Sequence, residues 1–403
     1  MTSTALLVSV VTPSYNAVRF IAETIRSVQA QDYAPIEHIV MDGGSTDGTV
    51  ELLRQYPHLK WISEPDRGQS DALNKGFKLA QGQFVGWLNA DDTYNTGAVA
   101  TAVKFLQTHP EVSIVYGDCA IIDEASRVTG LIATGAFSLA EQVLGNRIPQ
   151  PSVFLRRSAV EASGGVNESL HYVMDYDLWL RLAAKGFKFA HVPGVLANFR
   201  ICAGTKSVAQ AERFWPEIVR CYERFFAISE LPDDVQALKH QACDRALWQA
   251  GLAYFAAGDV ASGRDFCRRA VEAGRLLETE PDWAVIAIVE QAFGSNRGMG
   301  EQYALTVLRS LDLPAGYGWF TARFAPARVH EALAFMSYQK RDLAVVRRAA
   351  AKSIALDPSR LRNLGLVSIF AESLAGATLT DAVRAAARRL RWHSRVVPDS
   401  SGR

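Results

Sequence analysis

The segment FVGWLNADDTYN, residues 84–95, joins a run of large apolar side chains to two adjacent aspartates. The apolar run, residues 84–88, is typical of a buried strand in a parallel sheet. Asp91 and Asp92 follow this strand directly, where two neighbouring carboxylates repel each other and add nothing to packing. They are either solvated turn residues or the ligands of a hard divalent cation, Mg²⁺ or Mn²⁺.

Strand-like and helix-like segments alternate on both sides of this stretch. The sequence predicts strands at residues 6–11, 36–41, 59–62, 84–88 and 112–116, and helices at residues 17–29, 46–56, 69–80 and 96–109, with Ser45 as the N-cap of the second helix. This alternation predicts an α/β fold, with a parallel sheet that carries helices on both faces.

Polar clusters follow four of the predicted strands, at residues 12–16, 42–45, 64–67 and 89–92. Ligands of open α/β sheets bind beyond the carboxyl ends of the strands, so we expect these four loops to gather on one rim. Neither the dinucleotide-binding glycine motif nor the phosphate-loop motif follows the first strand. Asp42 is therefore interpreted either as part of a glycine-rich turn or as an acceptor for a base or ribose.

Composition bounds the class of protein. The 403 residues predict two domains, and a formal net charge of +1 gives no argument for a nucleic-acid partner. The five widely spaced cysteines indicate reduced thiols and a cytoplasmic protein. We find no signal-peptide pattern and no apolar run long enough to span a membrane, so we expect a protein that is soluble or attached at the membrane surface.

The second half of the chain is predicted to be helical. We place a catalytic domain at residues 1–207 and a helical domain at residues 208–403. Residues 246–274 and 332–359 share the spacing of helix-pair repeats, so a tetratricopeptide-like array and a plain bundle both remain open. The basic segment near 380–397 either packs on its own domain or lies on an anionic membrane surface, at the cytoplasmic face of the inner membrane.

A further acidic residue lies in VMDYDLWLRLAAKG, residues 173–186. Asp175 falls at the start of a predicted helix, where a carboxylate is favoured by the helix dipole. The functional alternative is a general base that deprotonates an attacking hydroxyl. SEPDRGQSDALNKG, residues 63–76, is also denser in polar groups than a loop requires, which favours a site.

Together these segments resemble one known family. VSVVTPSYNA, IVMDGGSTDGT, SEPDRGQSDALNKG, GQFVGWLNADD, IPQPSVFLRR, GGVNESLHYVMDYDLWLRLAAKG and NFRICAGTKS occur in the order found in family 2 glycosyltransferases, across roughly residues 7–207. The resemblance implies a GT-A fold, which is a Rossmann-like mixed sheet, here followed by the all-α domain. It implies an inverting transfer of sugar from a nucleoside-diphosphate sugar to an acceptor hydroxyl, in bacterial polysaccharide synthesis.

The resemblance also implies roles for individual residues. Asp175 corresponds to the catalytic base, and Gln150 with Pro151 lies in the acceptor region. Asp92 is the expected direct ligand of Mn²⁺ or Mg²⁺, with Asp91 beside it. The expected nucleotide-sugar contacts are Thr12, Pro13, Tyr15, Asn16, Asp42, Asp66, Arg67, Asp71, Asn89 and Asp91.

Two positions depart from the family pattern. Cys202 stands where many relatives have a histidine near the metal, and Met174 stands where many have glutamate. A thiol is a poor partner for Mg²⁺, so the departure at 202 predicts weaker metal binding.

The sequence leaves the donor base open among UDP, GDP and dTDP, and the acceptor open between a saccharide and a lipid-linked glycan. A catalytically inactive nucleotide-sugar scaffold with a partner-binding helical domain is the alternative. Nucleotidyl transfer would need a glycine-rich basic loop after the first strand, which TPSYNAVRF does not supply.

Overall fold

The computed structural model describes residues 6–202, 210–272, 275–294 and 299–375. The basic segment near 380–397 lies outside these residues. The chain divides into two compact units, Met1–Ala246 and Leu247–Arg403. The first unit extends past residue 207, where we place the end of the catalytic domain. That domain boundary stays a prediction.

The first unit is built on one sheet, which has nine strands in the described part of the chain. The strands are β1 Val8–Ser14, β2 Ile36–Asp42, β3 Lys60–Ser63, β4 Phe84–Trp87, β5 Thr93–Tyr94, β6 Val112–Ile122, β7 Val128–Ile132, β8 Phe154–Arg156 and β9 Lys188–Arg200. Their order across the sheet is β3-β2-β1-β4-β8-β6-β9-β5, with β7 paired to β6. The five strands predicted from the sequence are all present.

The sheet has a parallel half and a mixed half. Strands β3, β2, β1 and β4 pair in parallel, as the alternation of strands and helices predicts. Strand β8 then lies antiparallel to both β4 and β6, whereas β6 pairs in parallel with β9. The expectation of a wholly parallel sheet is therefore wrong beyond β4, and the mixed sheet implied by the family resemblance is confirmed.

The helices of the first unit are shorter than the sequence pattern suggests. They are α1 Ile21–Gln29, α2 Thr49–Leu53, α3 Gln69–Leu79, α4 Ala98–Thr108, α5 Leu139–Val143, a 3₁₀ turn Gln150–Ser152, α6 Arg157–Ser163, α7 Met174–Ala184, α8 Ala211–Phe225 and α9 Asp233–Gln236. Helix α2 begins after Gly48, which has a left-handed φ of 99° and provides no side-chain cap. Ser45 is therefore not the N-cap. Its side chain bonds the carboxylate of Asp42 instead.

Apolar side chains from the sheet and from its covering helices form the core. Val8, Val10 and Phe84 of the sheet pack with Val99 and Leu106 of α4 in one fully buried cluster. A second cluster joins Ile21 and Ile25 of α1 to Val40 of β2. Because both ends of each parallel strand are fixed by this packing, the loops at the carboxyl ends have defined positions.

The second unit is helical, as predicted. Helix α10, Lys239–Ala257, crosses the boundary between the units, and the following elements are α11 Val260–Glu272, α12 Leu276–Thr279, α13 Pro281–Phe293, α14 Gly300–Ser310, a π turn Phe320–Phe324, α15 Ala325–Gln339, α16 Leu343–Leu356, a 3₁₀ turn Pro358–Arg362 and α17 Leu364–Ala375. A β-carbon on Gly251 of α10 would lie 2.9 Å from the carbonyl oxygen of Gly263, so these glycines permit a close helix crossing.

Both proposed repeat segments therefore fold as helix pairs, α10 with α11 and α15 with α16. Tetratricopeptide repeats are not shown by this observation, because a bundle contains helix pairs too. Within the described residues, no helix combines the length and the apolar character that crossing a membrane requires.

Candidate active site

Hydrogen bonds tie the four predicted loops to one rim of the sheet. The amide of Gly43 donates to the carbonyl of Ser14, and the amide of Glu64 donates to the carbonyl of Asp42. Nε2 of Gln69, at the start of α3, donates to Oδ1 of Asn89 over 2.8 Å. The loops after β1, β2, β3 and β4 are thus adjacent, as the position of the strand ends requires.

Asp42 is the centre of this rim. Its buried carboxylate accepts hydrogen bonds from hydroxyls on all three adjoining strands or loops, namely those of Ser14 at 3.3 Å, Ser45 and Ser63 at 2.7 Å. The amide of Ser45 donates to Oδ2 over 2.9 Å. These bonds fix the carboxylate in place. A base or ribose that donates to Asp42 would therefore add to the hydrogen bonds that its oxygens already accept.

The loop after β3 closes against the loop after β2. A β-carbon on Gly43 would lie 2.7 Å from Oδ2 of Asp66, so a larger residue there would displace the Asp66 carboxylate. Oδ1 of Asp66 accepts from the amide of Gly68 over 2.8 Å. Arg67 is exposed and donates to Asp71 and to Glu168. Its guanidinium lowers the pKa of Asp71 to about 2, so Asp71 is ionised at neutral pH.

The predicted nucleotide contacts of the first loop differ in exposure. Pro13 is buried, and Thr12 is fully buried with its hydroxyl 2.9 Å from Nε2 of His38. Burial lowers the pKa of His38 to about 3, so this pair is neutral. Tyr15 is 68% exposed, and Asn16 accepts from the amide of Thr46. Tyr15 and Asn16 face the loops, whereas the side chain of Thr12 faces the interior.

The two aspartates of the opening segment have different surroundings. Asp91 is half-buried, whereas Asp92 is fully buried. Oδ1 of Asp92 accepts from the backbone amide of Arg200 over 3.0 Å, and Oδ2 accepts from the side-chain Nδ2 of Asn89 over 3.2 Å. Burial, and then the charge of Asp91, raise the pKa of Asp92 well above its usual value.

Arg200 holds the acidic pair and was not among the predicted site residues. Its Nε donates to the carbonyl of Asp91 over 2.8 Å, and its Nη2 donates to Glu23 over 2.7 Å. The guanidinium is fully buried and lies 4.5 Å from the ring centre of Phe20. The FR of the family segment was the only sequence signal for it. Cys202 follows two residues later and is half-buried.

The protein supplies few metal ligands at this rim. Among the described residues, no group of three or more histidine, cysteine, aspartate or glutamate side chains could hold a metal ion. Mg²⁺ and similar cations often bind one or two carboxylates and complete their shell with substrate phosphates and water. The half-buried carboxylate of Asp91 fits that kind of site.

Gln150 and Pro151 lie in the 3₁₀ turn beneath Asn89, and both are buried. Nε2 of Gln150 donates to the carbonyl of Trp87 over 2.6 Å, and its Oε1 accepts from Asn89 over 2.9 Å. Gln150 therefore supports the acidic loop through Asn89.

Asp175 lies in the first turn of α7 and is half-buried. Burial raises its pKa to about 6, against the opposing effects of the Tyr176 amide and the Asn146 side chain. Nδ2 of Asn146 donates to Oδ2 of Asp175 over 3.1 Å. A carboxylate with this pKa is a suitable proton acceptor at neutral pH.

One short segment connects the two acidic groups. Asn146, at one end, bonds Asp175, and Gln150, at the other, bonds Asn89, which bonds Asp92. Four residue steps of extended chain span at most about 14 Å. One five-residue segment therefore bonds both Asp175 and the loop that carries the acidic pair. Asn146 carries no motif in the sequence and was missed.

The fold and these motifs agree with comparisons to known proteins. The family description "Glycosyl transferase family 2" matches residues 9–149. An uncharacterised glycosyltransferase of Mycobacterium tuberculosis is 36% identical over 189 residues, which are 45% of this chain and 71% of that protein. The chain belongs to glycosyltransferase family 2.

Other family 2 relatives match the same half of the chain. A UDP-Glc:α-D-GlcNAc-diphosphoundecaprenol β-1,3-glucosyltransferase of Escherichia coli is 27% identical over 207 residues, 50% of this chain and 80% of that protein. A chondroitin synthase of Escherichia coli is 28% identical over 199 residues. That match covers 48% of this chain and only 28% of the synthase.

The likeness to solved structures concerns the fold. The crystal structure of S. aureus TarS 1–349 in complex with UDP-GlcNAc has a TM-score of 0.50 and 16% sequence identity, and the match covers 87% of this chain and 91% of that chain. The glycosyltransferase thus has a GT-A-like sheet domain followed by a helical region.

Proposed function

We propose that this family 2 glycosyltransferase transfers a sugar, with inversion, from a nucleoside-diphosphate sugar to an acceptor hydroxyl. The observation that carries the proposal is the position of Asp175. Asp175 is a half-buried carboxyl whose pKa is about 6, and residues 146–150 connect it by hydrogen bonds to the loop of the acidic pair. A base and a diphosphate site must be close together for a single displacement.

Asp175 would take the proton of the acceptor hydroxyl as that oxygen attacks the anomeric carbon. The bond from carbon to the diphosphate oxygen breaks as the new bond forms, so the configuration inverts. The proton then resides on Asp175 and leaves to water when the product departs. The raised pKa makes Asp175 a stronger base than an exposed aspartate, which favours this proton transfer.

The donor would lie along the loops after β1 to β4. Asp42 would accept a hydrogen bond from the base, and the other expected contacts are the half-buried Asp66, exposed Arg67, Tyr15 and Asn16. Thr12, Pro13 and Asp71 are buried. Asn89 is half-buried, and its side chain bonds Asp92 and Gln150. The part of these four residues would be to hold the loops in position.

Asp91 would be the direct ligand of a divalent cation. Its partial exposure favours it over Asp92, which is the ligand expected from the family resemblance but has no exposed surface. Asp92 would hold the loop through Arg200 and Asn89. When bound, Mn²⁺ or Mg²⁺ would neutralise the charge of the departing diphosphate.

The acceptor would be a saccharide or lipid-linked glycan in bacterial cell-surface synthesis. One relative is named for a diphosphoundecaprenol-linked acceptor, which supports the lipid-linked choice. A cytoplasmic location, with contact to the inner membrane through residues 380–397, remains a prediction.

Replacing Asp175 with asparagine tests the proposal. We expect transfer to fall by roughly 10²- to 10⁴-fold, the usual contribution of a general base. Nucleotide binding should stay intact, because Asp175 is not among the expected nucleotide-sugar contacts. The measurement is release of nucleoside diphosphate from UDP-, GDP- and dTDP-sugars, with binding followed by thermal shift.

Stability distinguishes a base from a structural residue in the same experiment. Burial raises the pKa of Asp175, so its ionisation at neutral pH opposes folding, and asparagine removes that cost. The variant should melt no lower than the wild type at pH 7.5. Normal turnover in Asp175→Asn would refute the assignment, and a lowered melting temperature would indicate a structural role.

A further inference from the structure

The amide of Asn146 has only one orientation that satisfies its neighbours. Its Oδ1 accepts from Nε2 of Gln142 over 2.8 Å and from the amide of Ile148 over 3.3 Å. Both of these partners are donors, so the oxygen must face them and the Nδ2 group must face Asp175. The direction of the 3.1 Å bond to Asp175 is therefore determined by the surroundings.

Gln142 is itself fixed. Its side chain is buried, and its Oε1 accepts from the amide of Arg147 over 2.9 Å, which leaves Nε2 to donate to Asn146. The hydroxyl of Tyr176, next to Asp175 on α7, donates to the carbonyls of Gln142 at 2.7 Å and Val143 at 3.0 Å. The loop that carries Asn146 is thus bonded to the helix that carries Asp175.

We propose that Asn146 is a positioning residue for Asp175, held by Gln142 so that its amide donates to one carboxylate oxygen. The carboxylate would then be held in one orientation toward the acceptor hydroxyl. This inference rests on the proposed function, because it assumes that Asp175 is the base. Asn146 is exposed and Asp175 is half-buried, so the pair is reachable by a bulky acceptor.

A hydrogen bond to the ionised form also lowers the pKa of a carboxyl. Burial raises the pKa of Asp175, and the bond from Asn146 opposes that effect and keeps more of the base ionised at neutral pH. Without the bond, a larger fraction of the enzyme would be protonated and inactive.

Two titratable groups that interact with Asp175 stay neutral through this range. Tyr176 on α7 and Cys221 on α8 both have a pKa raised by burial, so both are neutral. Asp177 adds a negative charge that raises the pKa of Asp175, and its carboxylate is paired with Arg181 at 2.7 Å and with Arg224 at 3.9 Å. A change in the pKa of Asp175 can therefore be assigned to Asn146.

The test is a direct titration of Asp175 in the full chain. Carbon-13 NMR of aspartate-labelled protein follows the side-chain carboxyl, and the spectrum of Asp175→Asn assigns its signal. The variants are Asn146→Ala, which removes the donor, and Asn146→Asp, which replaces it with a second carboxylate. The matched control is Asn167→Ala, an asparagine whose side chain bonds Ser169 in a nearby loop.

We expect Asn146→Ala to raise the midpoint of the Asp175 titration by about one pH unit, because the ionised carboxylate loses a hydrogen bond. Asn146→Asp should raise it further, because like charges at this distance cannot both ionise freely. Asn167→Ala should leave it unchanged. An unchanged midpoint in Asn146→Ala would overturn the inference, as would an equal shift in the control.

Transfer measured on the same proteins separates this inference from the proposed function. The acidic limb of kcat should move to higher pH in Asn146→Ala by the same amount as the NMR midpoint, with KM for the donor unchanged. If Asp175→Asn still transfers sugar, the proposed function fails and the inference fails with it. If Asp175→Asn is inactive and the acidic limb of the kcat profile is unchanged in Asn146→Ala, only the inference fails.

Discussion

The pKa of Asp175 sets how the enzyme responds to pH. Burial raises this pKa to about 6, and the base must be ionised to accept a proton. We therefore expect kcat to be lost as pH falls through about 6 and to level off above about 7, in a rate profile from pH 4.5 to 8.5. A midpoint near 4, as for an exposed aspartate, would contradict the environment described for Asp175.

The two neighbouring aspartates should respond differently to the same substitution. Asp91→Asn should remove the additional stabilisation that Mn²⁺ gives to nucleotide-bound protein, with little change in melting temperature without ligand. Asp92→Asn should lower that melting temperature, because both oxygens of Asp92 accept hydrogen bonds. In either orientation the new NH2 group would face a donor, the backbone amide of Arg200 or Nδ2 of Asn89. Thermal shift with and without Mn²⁺ measures both. If only Asp92→Asn loses the Mn²⁺ effect, Asp92 is the ligand.

At the scale of elements, helix α8 supports the base-bearing helix α7. The buried carboxylate of Glu217 accepts from the amides of His171 at 3.0 Å and Tyr172 at 2.8 Å, just before α7 begins. Oε2 accepts from both amides, and Oε1 also faces the amide of His171. In Glu217→Gln an NH2 group replaces one of these oxygens and faces a buried donor, which costs about 1–3 kcal/mol. We expect the melting temperature to fall by several degrees, and kcat to fall with it.

The control for this helix is Glu223→Gln, an exposed glutamate on α8. This substitution removes the same charge from the same helix at an exposed position. The support role would be contradicted if Glu217→Gln melted like Glu223→Gln. This helix begins at Ala211, beyond the family motifs found at roughly residues 7–207, so no family motif pointed to it.

At the scale of the whole molecule, ligand binding should be visible as stability. A nucleotide at 100 times its Kd stabilises the folded protein by about 2.7 kcal/mol. We expect one of UDP, GDP and dTDP to raise the melting temperature, and Mn²⁺ to enlarge the shift. The corresponding nucleosides are the controls, because they lack the diphosphate. No shift with any diphosphate would favour the inactive-scaffold alternative.

The sequence predicted the fold well where the signal is local. Five strands and four helices within residues 6–122 are present because apolar periodicity records which face of each element is buried. Apolar periodicity alone did not predict the antiparallel pairing in the mixed half of the sheet. Strand β8 has three residues, too few to show a period, and its antiparallel place between β4 and β6 depends on partners distant in the chain.

The candidate site divides in the same way. Asp42, Asp66 and Asp91 could be identified because they follow strands directly, and Asp175 because its segment matches a family motif. The roles of Asn146 and Arg200 could not be identified from the sequence, because each depends on a contact with a residue at least 29 positions away. Nor could the sequence say which of two adjacent aspartates is buried.

The sequence by itself determined the family, the α/β order of the first half, the helical second half and the loops that form the rim. Each of these follows from residue type and spacing along the chain. Only the tertiary structure decided that Asp92 is enclosed while Asp91 is half-buried, and that Asn146 bonds Asp175. Burial and hydrogen bonding depend on which distant segments meet, and local patterns carry no record of that.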